Sequence, residues 1–268
     1  MPDDREQTKN EPGEPWRRAL KATGRVGLAI GRFVARQSGD MYRAVDPDVQ
    51  RHLGQLPLMG YSLFLRKNVP IEAGLSDGHP PLVFVHGLGG GRGDFLPMAW
   101  YLSRMGRKRS YSIAFKAGED IPARAAALGA FVREIQEVTG EPRVDMVAHS
   151  LGGVVARLAI VEHDLGDVVR TLITLGTPHQ GTYSARLGNT PVTRALRPDS
   201  ELMRALAEKP LPQGLRVVTF WSRGDLVILP SESAALPGSR QVEVPNYTHY
   251  GYLIVPGSWK AVLESLAS

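Results

Sequence analysis

An α/β architecture, with a mainly parallel central sheet covered by helices on both faces, is the fold class expected of this 268-residue chain. Strand-like and helix-like segments alternate from about residue 58 to the end, the arrangement that builds parallel sheets. The run Leu82 to His86 (LVFVH) is continuously apolar, as expected of a strand buried on both faces. The run Val144 to Ala148 is followed directly by the small-residue turn Ser150-Leu-Gly-Gly153 and then by an apolar helical stretch. Strand, sharp turn and helix in that order are one half of a parallel βαβ unit.

In chain order, Leu58 to Leu65 reads as an early strand, and Leu82 to His86 as the first buried one. Gly93 to Met105 reads as a helix with apolar positions Phe95, Met98, Trp100, Tyr101, Leu102 and Met105. Tyr111 to Phe115 is the next strand. Ile121 to Val138 is a helix rich in alanine, with Pro122 in its first turn, where the missing N–H costs nothing. Leu151 to His163 is the helix after the small-residue turn. Val168 to Leu175, Leu215 to Trp221 and Gln241 to Val244 are strands, and Ser258 to Leu266 closes the chain as a helix. Residues 183–213 lie between two strands and are longer than an ordinary connection. They read as a lid or cap: a polar stretch, then a helix starting near Ser200 with Leu202, Met203 and Leu206 on one side.

Composition narrows the function. The chain contains no cysteine, so disulfide frameworks, zinc–thiolate sites and a cysteine nucleophile are excluded. No HExxH or Cys/His cluster suggests a metal, and no cofactor is expected. The net charge of +5 is unevenly spread. Residues 1–15 carry two basic and five acidic side chains and read as disordered; residues 16–36 carry six basic side chains and no acidic one. The basic balance therefore belongs to one segment and gives no case for nucleic-acid binding by the body of the protein. Residues 16–37 read as a basic amphipathic helix that either contacts an anionic membrane surface or packs on the main domain. Three domains of sequence follow: 1–15, a basic helical extension 16–55, and a main domain 56–268. The polar, acidic start is unlike a secretory signal, and a cytoplasmic protein peripheral to the membrane is the expected location.

Four motifs carry the chemistry. In Val144-Asp-Met-Val-Ala-His-Ser-Leu-Gly-Gly153, Ser150 sits where a strand turns sharply into a helix, a nucleophile elbow. The flanking positions must be small, and they are Ala148 and Gly152; the usual pattern has glycine at the first. Val85-His-Gly-Leu-Gly-Gly-Gly91 follows a buried strand, and its glycines let backbone approach a ligand. A dinucleotide fingerprint there would need glycine at position 92, which is Arg92. Of seven histidines, His249 alone lies in a loop between the last strand and the last helix, the place of the base when the order is Ser, acid, His. Asp225, after Gly224 at the end of a strand, is the candidate acid, with Glu232 and Glu243 as alternatives.

Taken together, VHGLGGG, AHSLGG, LGTPHQGT, the Asp225 turn and His249 resemble bacterial lipases and esterases of the α/β-hydrolase superfamily, and the hydrolase domain of the GPI-inositol deacylase type. The resemblance covers about residue 80 to the end. It implies the α/β-hydrolase fold and ester hydrolysis through an acyl-enzyme, with Ser150 as nucleophile, His249 as base and Asp225 as its orienting acid. It further implies that the Leu88 and Leu151 amides form the oxyanion hole and that His86, Gly87 and His149 support the loops. Acyl esters, lipid-like ones first, are the expected substrate. A thioesterase, acyltransferase or amidase on the same triad is the alternative, and a non-catalytic lipid-binding protein ranks last.

Overall fold

The computed structural model describes Gln55 and residues 68–267. The expected early strand Leu58–Leu65, the acidic start and the basic segment 16–37 lie outside the described residues. The elements that follow are β1 (Leu82–Val85), α1 (Leu96–Arg104), β2 (Ser110–Ser112), α2 (Ile121–Thr139), β3 (Val144–His149), α3 (Leu151–Glu162) and β4 (Val169–Leu175). After these come α4 (Pro191–Ala195), α5 (Glu201–Glu208), β5 (Arg216–Trp221), β6 (Arg240–Glu243), α6 (Gly251–Ile254) and α7 (Pro256–Ala267).

The six strands form one sheet in the order β2-β1-β3-β4-β5-β6, and every pairing is parallel. This is the fold of the α/β-hydrolases. Alternate residues of each strand face opposite sides. Val83 and Val85 of β1, with Met146 and Ala148 of β3, join a core shared with α2 and α3. Leu82 and Phe84 of β1, with Val147 of β3 and Val218 and Phe220 of β5, join a core shared with α1, α6 and α7. Helices therefore cover both faces, which is why β1 and β3 are apolar at every position but Asp145 and His149.

Local signals set the helix ends. Asp120 accepts a hydrogen bond from Ala123 N at 2.9 Å, capping α2, and Gly140 ends it at φ 68°. The helix expected over Gly93–Met105 begins instead with a 3-10 turn, Arg92–Phe95, because Asp94 and Gly91 exchange hydrogen bonds that close a tighter turn. The strand expected over Tyr111–Phe115 is shorter: β2 lies at the sheet edge, is half-buried, and stops at Ser112. Its last bonded neighbour is Phe84, and beyond it Asn68 takes over the Ala114 backbone. Residues 183–213 hold a 3-10 turn (Tyr183–Leu187), α4 and α5. Ser200 caps α5, and Met203 and Leu206 bury their side chains in the core on the α2–α3 face.

Topology places the site. From β1 the chain steps outward to β2, then returns to the other side of β1 to form β3. The loops after β1 and β3 therefore leave adjacent strand ends in opposite directions, and a crevice opens between them.

Candidate active site

Ser150 occupies the turn between β3 and α3 with φ 54° and ψ −128°. A non-glycine residue in this region is strained by about 1–3 kcal/mol and persists only where its surroundings hold it. They do so by close packing. A methyl group at Gly152 would lie 2.3 Å from Val85 O and 2.8 Å from His86 O, so the helix can approach β1 only with glycine there. One at Gly153 would lie 2.1 Å from Thr177 Oγ1. The Ser150 amide donates to Leu175 O at 2.9 Å, which ties the turn to β4. Ala148, where glycine is usual, is fully buried in the α2–α3 core, so its methyl group is accommodated.

His249 and Asp225 converge on this serine from loops 24 residues apart. His249 Nε2 is 2.9 Å from Ser150 Oγ, and His249 Nδ1 is 2.8 Å from Asp225 Oδ2. Asp225 Oδ1 accepts from the amides of Val227 at 2.9 Å and Ile228 at 3.1 Å. Burial by itself would raise the Asp225 pKa, but the nearby His249, its hydrogen bond and the two amides together hold it below the ordinary carboxylate value. An ionised acid on Nδ1 fixes the tautomer in which Nε2 is free to accept the serine proton. All three residues are buried. The alternative acids lie elsewhere: Glu232 and Glu243 are exposed and face Arg223, at 4.0 and 2.9 Å.

The loop after β1 lies against the elbow. A methyl group at Gly87 would be 3.0 Å from Ser150 Cβ and 3.2 Å from His149 Nδ1. His86 Nδ1 donates to Gly87 O at 2.9 Å. Among the described residues, neither the Leu88 nor the Leu151 amide donates to an acceptor. Leu151 opens α3, whose N-terminal amides and dipole favour negative charge beside Ser150. His149 Nε2 donates to the backbone oxygen of His249 at 2.8 Å. Complete burial, and then the nearby His249, depress the His149 pKa to about 3, so it is a neutral donor.

Ser150, His149 and His249 open onto a cavity of about 380 Å³. Pro178, Ala185, Leu196, Val227 and Ile228 give its lining apolar surface, and Asp94, Thr182, Ser184, Thr193, Tyr250 and the Gly87–Gly90 loop line it as well. Sequence reasoning did not single out Asp94 or Tyr250. Asp94 carries the spacing of a turn cap, which it also is, and nothing local distinguishes a cap that faces a cavity. His179, in the LGTPHQGT motif, is not part of the site. It is buried, its Nε2 is 2.9 Å from Thr174 Oγ1, and its carbonyl accepts from Arg157 at 3.1 Å. Among the described residues, no group of three or more His, Cys, Asp or Glu is placed to hold a metal ion.

The model of the palmitoyl protein thioesterase family matches residues 81–222, more than half of the chain. The chain belongs to this family. The matched span of the thioesterase family runs from β1 through the elbow to the end of β5, and so contains Ser150, Leu88 and Leu151 but ends before Asp225 and His249. Solved structures share the fold at low identity. The mature lipase BlEst2 of Bacillus licheniformis aligns over 74% of this chain and 95% of its own, at 20% identity and a TM-score of 0.58. Aspergillus fumigatus lipase B aligns over 74% of this chain and 56% of its own, at 18% identity and a TM-score of 0.64. The metagenomic carboxyl esterase MGS0156 aligns over 74% of this chain and 77% of its own, at 17% identity and a TM-score of 0.53. Family and fold make this chain a hydrolase whose general chemistry is ester hydrolysis.

Proposed function

We propose that the protein is a serine hydrolase that cleaves carboxylic acyl esters or thioesters, with a lipid-like acyl chain held in the apolar part of the cavity. The observation that carries this reading is the continuous relay Asp225–His249–Ser150, with links of 2.8 and 2.9 Å, whose Ser150 and His249 line that cavity. Ser150 Oγ attacks the carbonyl carbon while its proton passes to His249 Nε2. The amides of Leu88 and Leu151 stabilise the oxyanion; removing one such donor typically costs about 100- to 1000-fold in rate. The carbon–oxygen or carbon–sulfur bond breaks, and the leaving alcohol or thiol takes the proton from His249. Water then attacks the acyl-enzyme, gives a proton back through His249 to Ser150, and releases the acid.

The family supports the thioester bond and the lipid-like chain. The apolar lining supports the chain independently of the bond.

The test is hydrolysis of a p-nitrophenyl ester series and of matched acyl thioesters by wild type, Ser150→Ala and His249→Ala. Both variants are expected to lose about a thousandfold or more in kcat, because triad members act as a unit. Wild-type turnover by a folded Ser150→Ala protein would overturn the assignment. The ratio of thioester to ester kcat/KM decides between the two bonds.

A further inference from the structure

The end of the LGTPHQGT segment is joined to the turn that carries Asp225. Gly181, at φ 80°, brings its backbone against Pro198: a methyl group there would lie 2.7 Å from Pro198 Cα. The next residue, Thr182, is buried, and its amide donates to Leu196 O, just after α4, at 2.8 Å. Its Oγ1 donates to Val227 O at 3.0 Å, accepts from the Leu229 amide at 2.8 Å and lies 3.0 Å from Ser184 Oγ. Ser184 Oγ donates to the same Val227 oxygen at 2.5 Å, and the Tyr183 amide donates to Leu229 O at 2.8 Å. The same turn holds the acid. The Val227 and Ile228 amides donate to Asp225 Oδ1 at 2.9 and 3.1 Å, while Asp225 Oδ2 meets His249 Nδ1 at 2.8 Å. Val227 thus has its N–H on the acid and its carbonyl on Thr182. The start of the turn is held separately, by a bond from the Asp225 amide to Ser222 O at 3.1 Å.

We propose that Thr182 is a positioning residue for the triad: its hydroxyl holds residues 227–229 in place and, through the Val227 and Ile228 amides, holds the Asp225 carboxylate on His249. This inference rests on the reading of Ser150, His249 and Asp225 as nucleophile, base and acid. A threonine hydroxyl is both donor and acceptor, and here it pairs one carbonyl and one amide of the same turn. Without it the Leu229 amide loses its partner, which is unfavourable inside a fold, and the turn relaxes toward another. A carboxylate held by the amides of that turn moves with it. A misplacement of about 1 Å at a catalytic group costs on the order of 100-fold in rate, so a single hydroxyl outside the triad governs turnover. Thr182, Val227 and Ile228 also line the cavity, and the experiment separates the positioning role from contact with substrate.

The experiment uses the full chain and a p-nitrophenyl acyl ester, with kcat and KM measured separately for wild type, Thr182→Val and Thr182→Ser. Valine keeps the shape and removes the hydroxyl; serine keeps the hydroxyl and removes a methyl group. Thr182→Val is expected to lower kcat by about 10- to 100-fold with KM within about threefold of wild type, and Thr182→Ser to recover most of that loss. A residue that only lines the cavity gives the reverse pattern: kcat survives in Thr182→Val, and KM rises in Thr182→Ser. Thr182→Ala, which leaves room for water to reach the Leu229 amide, carries the same kcat test if Thr182→Val does not fold. The loss must also run through the acid. In an Asp225→Asn background, where the orienting charge is already gone, the hydroxyl-deleting substitution is expected to change kcat by no more than about threefold, so the two losses are far from additive. Wild-type kcat in the folded variant, a loss carried by KM, or an undiminished loss in the Asp225→Asn background would overturn the proposal. Ser150→Ala is assayed alongside. Wild-type hydrolysis by Ser150→Ala or Asp225→Asn refutes the triad, whereas hydrolysis that collapses in both while removal of the Thr182 hydroxyl leaves kcat unchanged refutes this inference alone.

Discussion

At the residue scale, the site depends on neighbours that do no chemistry. His149 is one residue before the nucleophile, yet its hydrogen bond goes to the backbone of His249, 100 residues away. The bond ties the elbow to the loop that carries the imidazole. Because His149 is neutral, with its pKa depressed to about 3, the tie does not change with pH in the working range. Its role is positioning, and two replacements separate the bond from the ring. His149→Gln keeps a donor of similar reach, and His149→Phe keeps a ring without the donor. His149→Phe is expected to lower kcat by about 10- to 100-fold, the scale of a small misplacement of a catalytic group, with KM nearly unchanged. His149→Gln should recover much of that loss. Equal losses in the two variants would mean that the ring matters for packing and the hydrogen bond does not.

At the scale of elements, the short connections define the site and the long one is tied down. Arg157 of α3 donates to His179 O at 3.1 Å and to Leu206 O at 2.9 Å, so one buried guanidinium joins the nucleophile helix, the loop after β4 and α5. Burial lowers the Arg157 pKa to about 10, and it remains a cation satisfied by carbonyl oxygens. With Met203 and Leu206 in the core, each contributing about 1.5–3 kcal/mol, α5 is an integral part of the domain. The start of α2 offers a check on its helix-start signal. Asp120→Ala removes the cap on Ala123 N and is expected to cost about 1 kcal/mol of unfolding free energy in urea. Because this cap belongs to α2 and touches no site residue, esterase activity of the folded variant should match wild type; a matching stability would deny the cap any weight.

The same contrast explains what could be read from the chain. The strands β1, β3 and β4 and the helices α2 and α3 announce themselves because burial on both faces, or on one stripe, imposes a run or a period on consecutive residues. Ser150, Asp225 and His249 stand out because each needs a strand end, a turn and a fixed chain order. Asp94 and Tyr250 carry no such pattern. They reach the cavity through the turn after β1 and the turn after His249, and a cap or an ordinary loop tyrosine has the same local sequence. The edge strand β2 and the small helix α4 are also faint, since three to five residues are too few to show a period.

For the whole molecule, the buried histidines fix how stability depends on pH. His149 and His179 are both completely buried. Burial depresses both pKa values, with His249 adding to the shift on His149 and Arg157 to that on His179. In the unfolded chain each takes up a proton as pH falls through about 6.5, whereas in the fold each stays neutral. The unfolded state therefore binds more protons, and stability falls as the solution is acidified. The contribution of each histidine is fully present above pH ~6.5 and is lost progressively below it, down to about pH 3 for His149. Each accounts for about 1.4 kcal/mol per pH unit within its window, so the pair together destabilises the fold steeply between about pH 6 and 5. Asp225 acts in the same direction at lower pH, because its depressed pKa means that protonation favours the unfolded chain. Urea unfolding at pH 7.5, 6.5, 5.5 and 5.0 measures the slope. It is expected to be about a quarter of the two-proton value between the first two and to approach that value between the last two. In His149→Gln the slope below pH 6 should drop to about half, since one of the two protons is gone. An unchanged slope in that variant would mean that His149 takes up its proton within the folded protein, and its link to the His249 carbonyl would then have to survive as that of a cation.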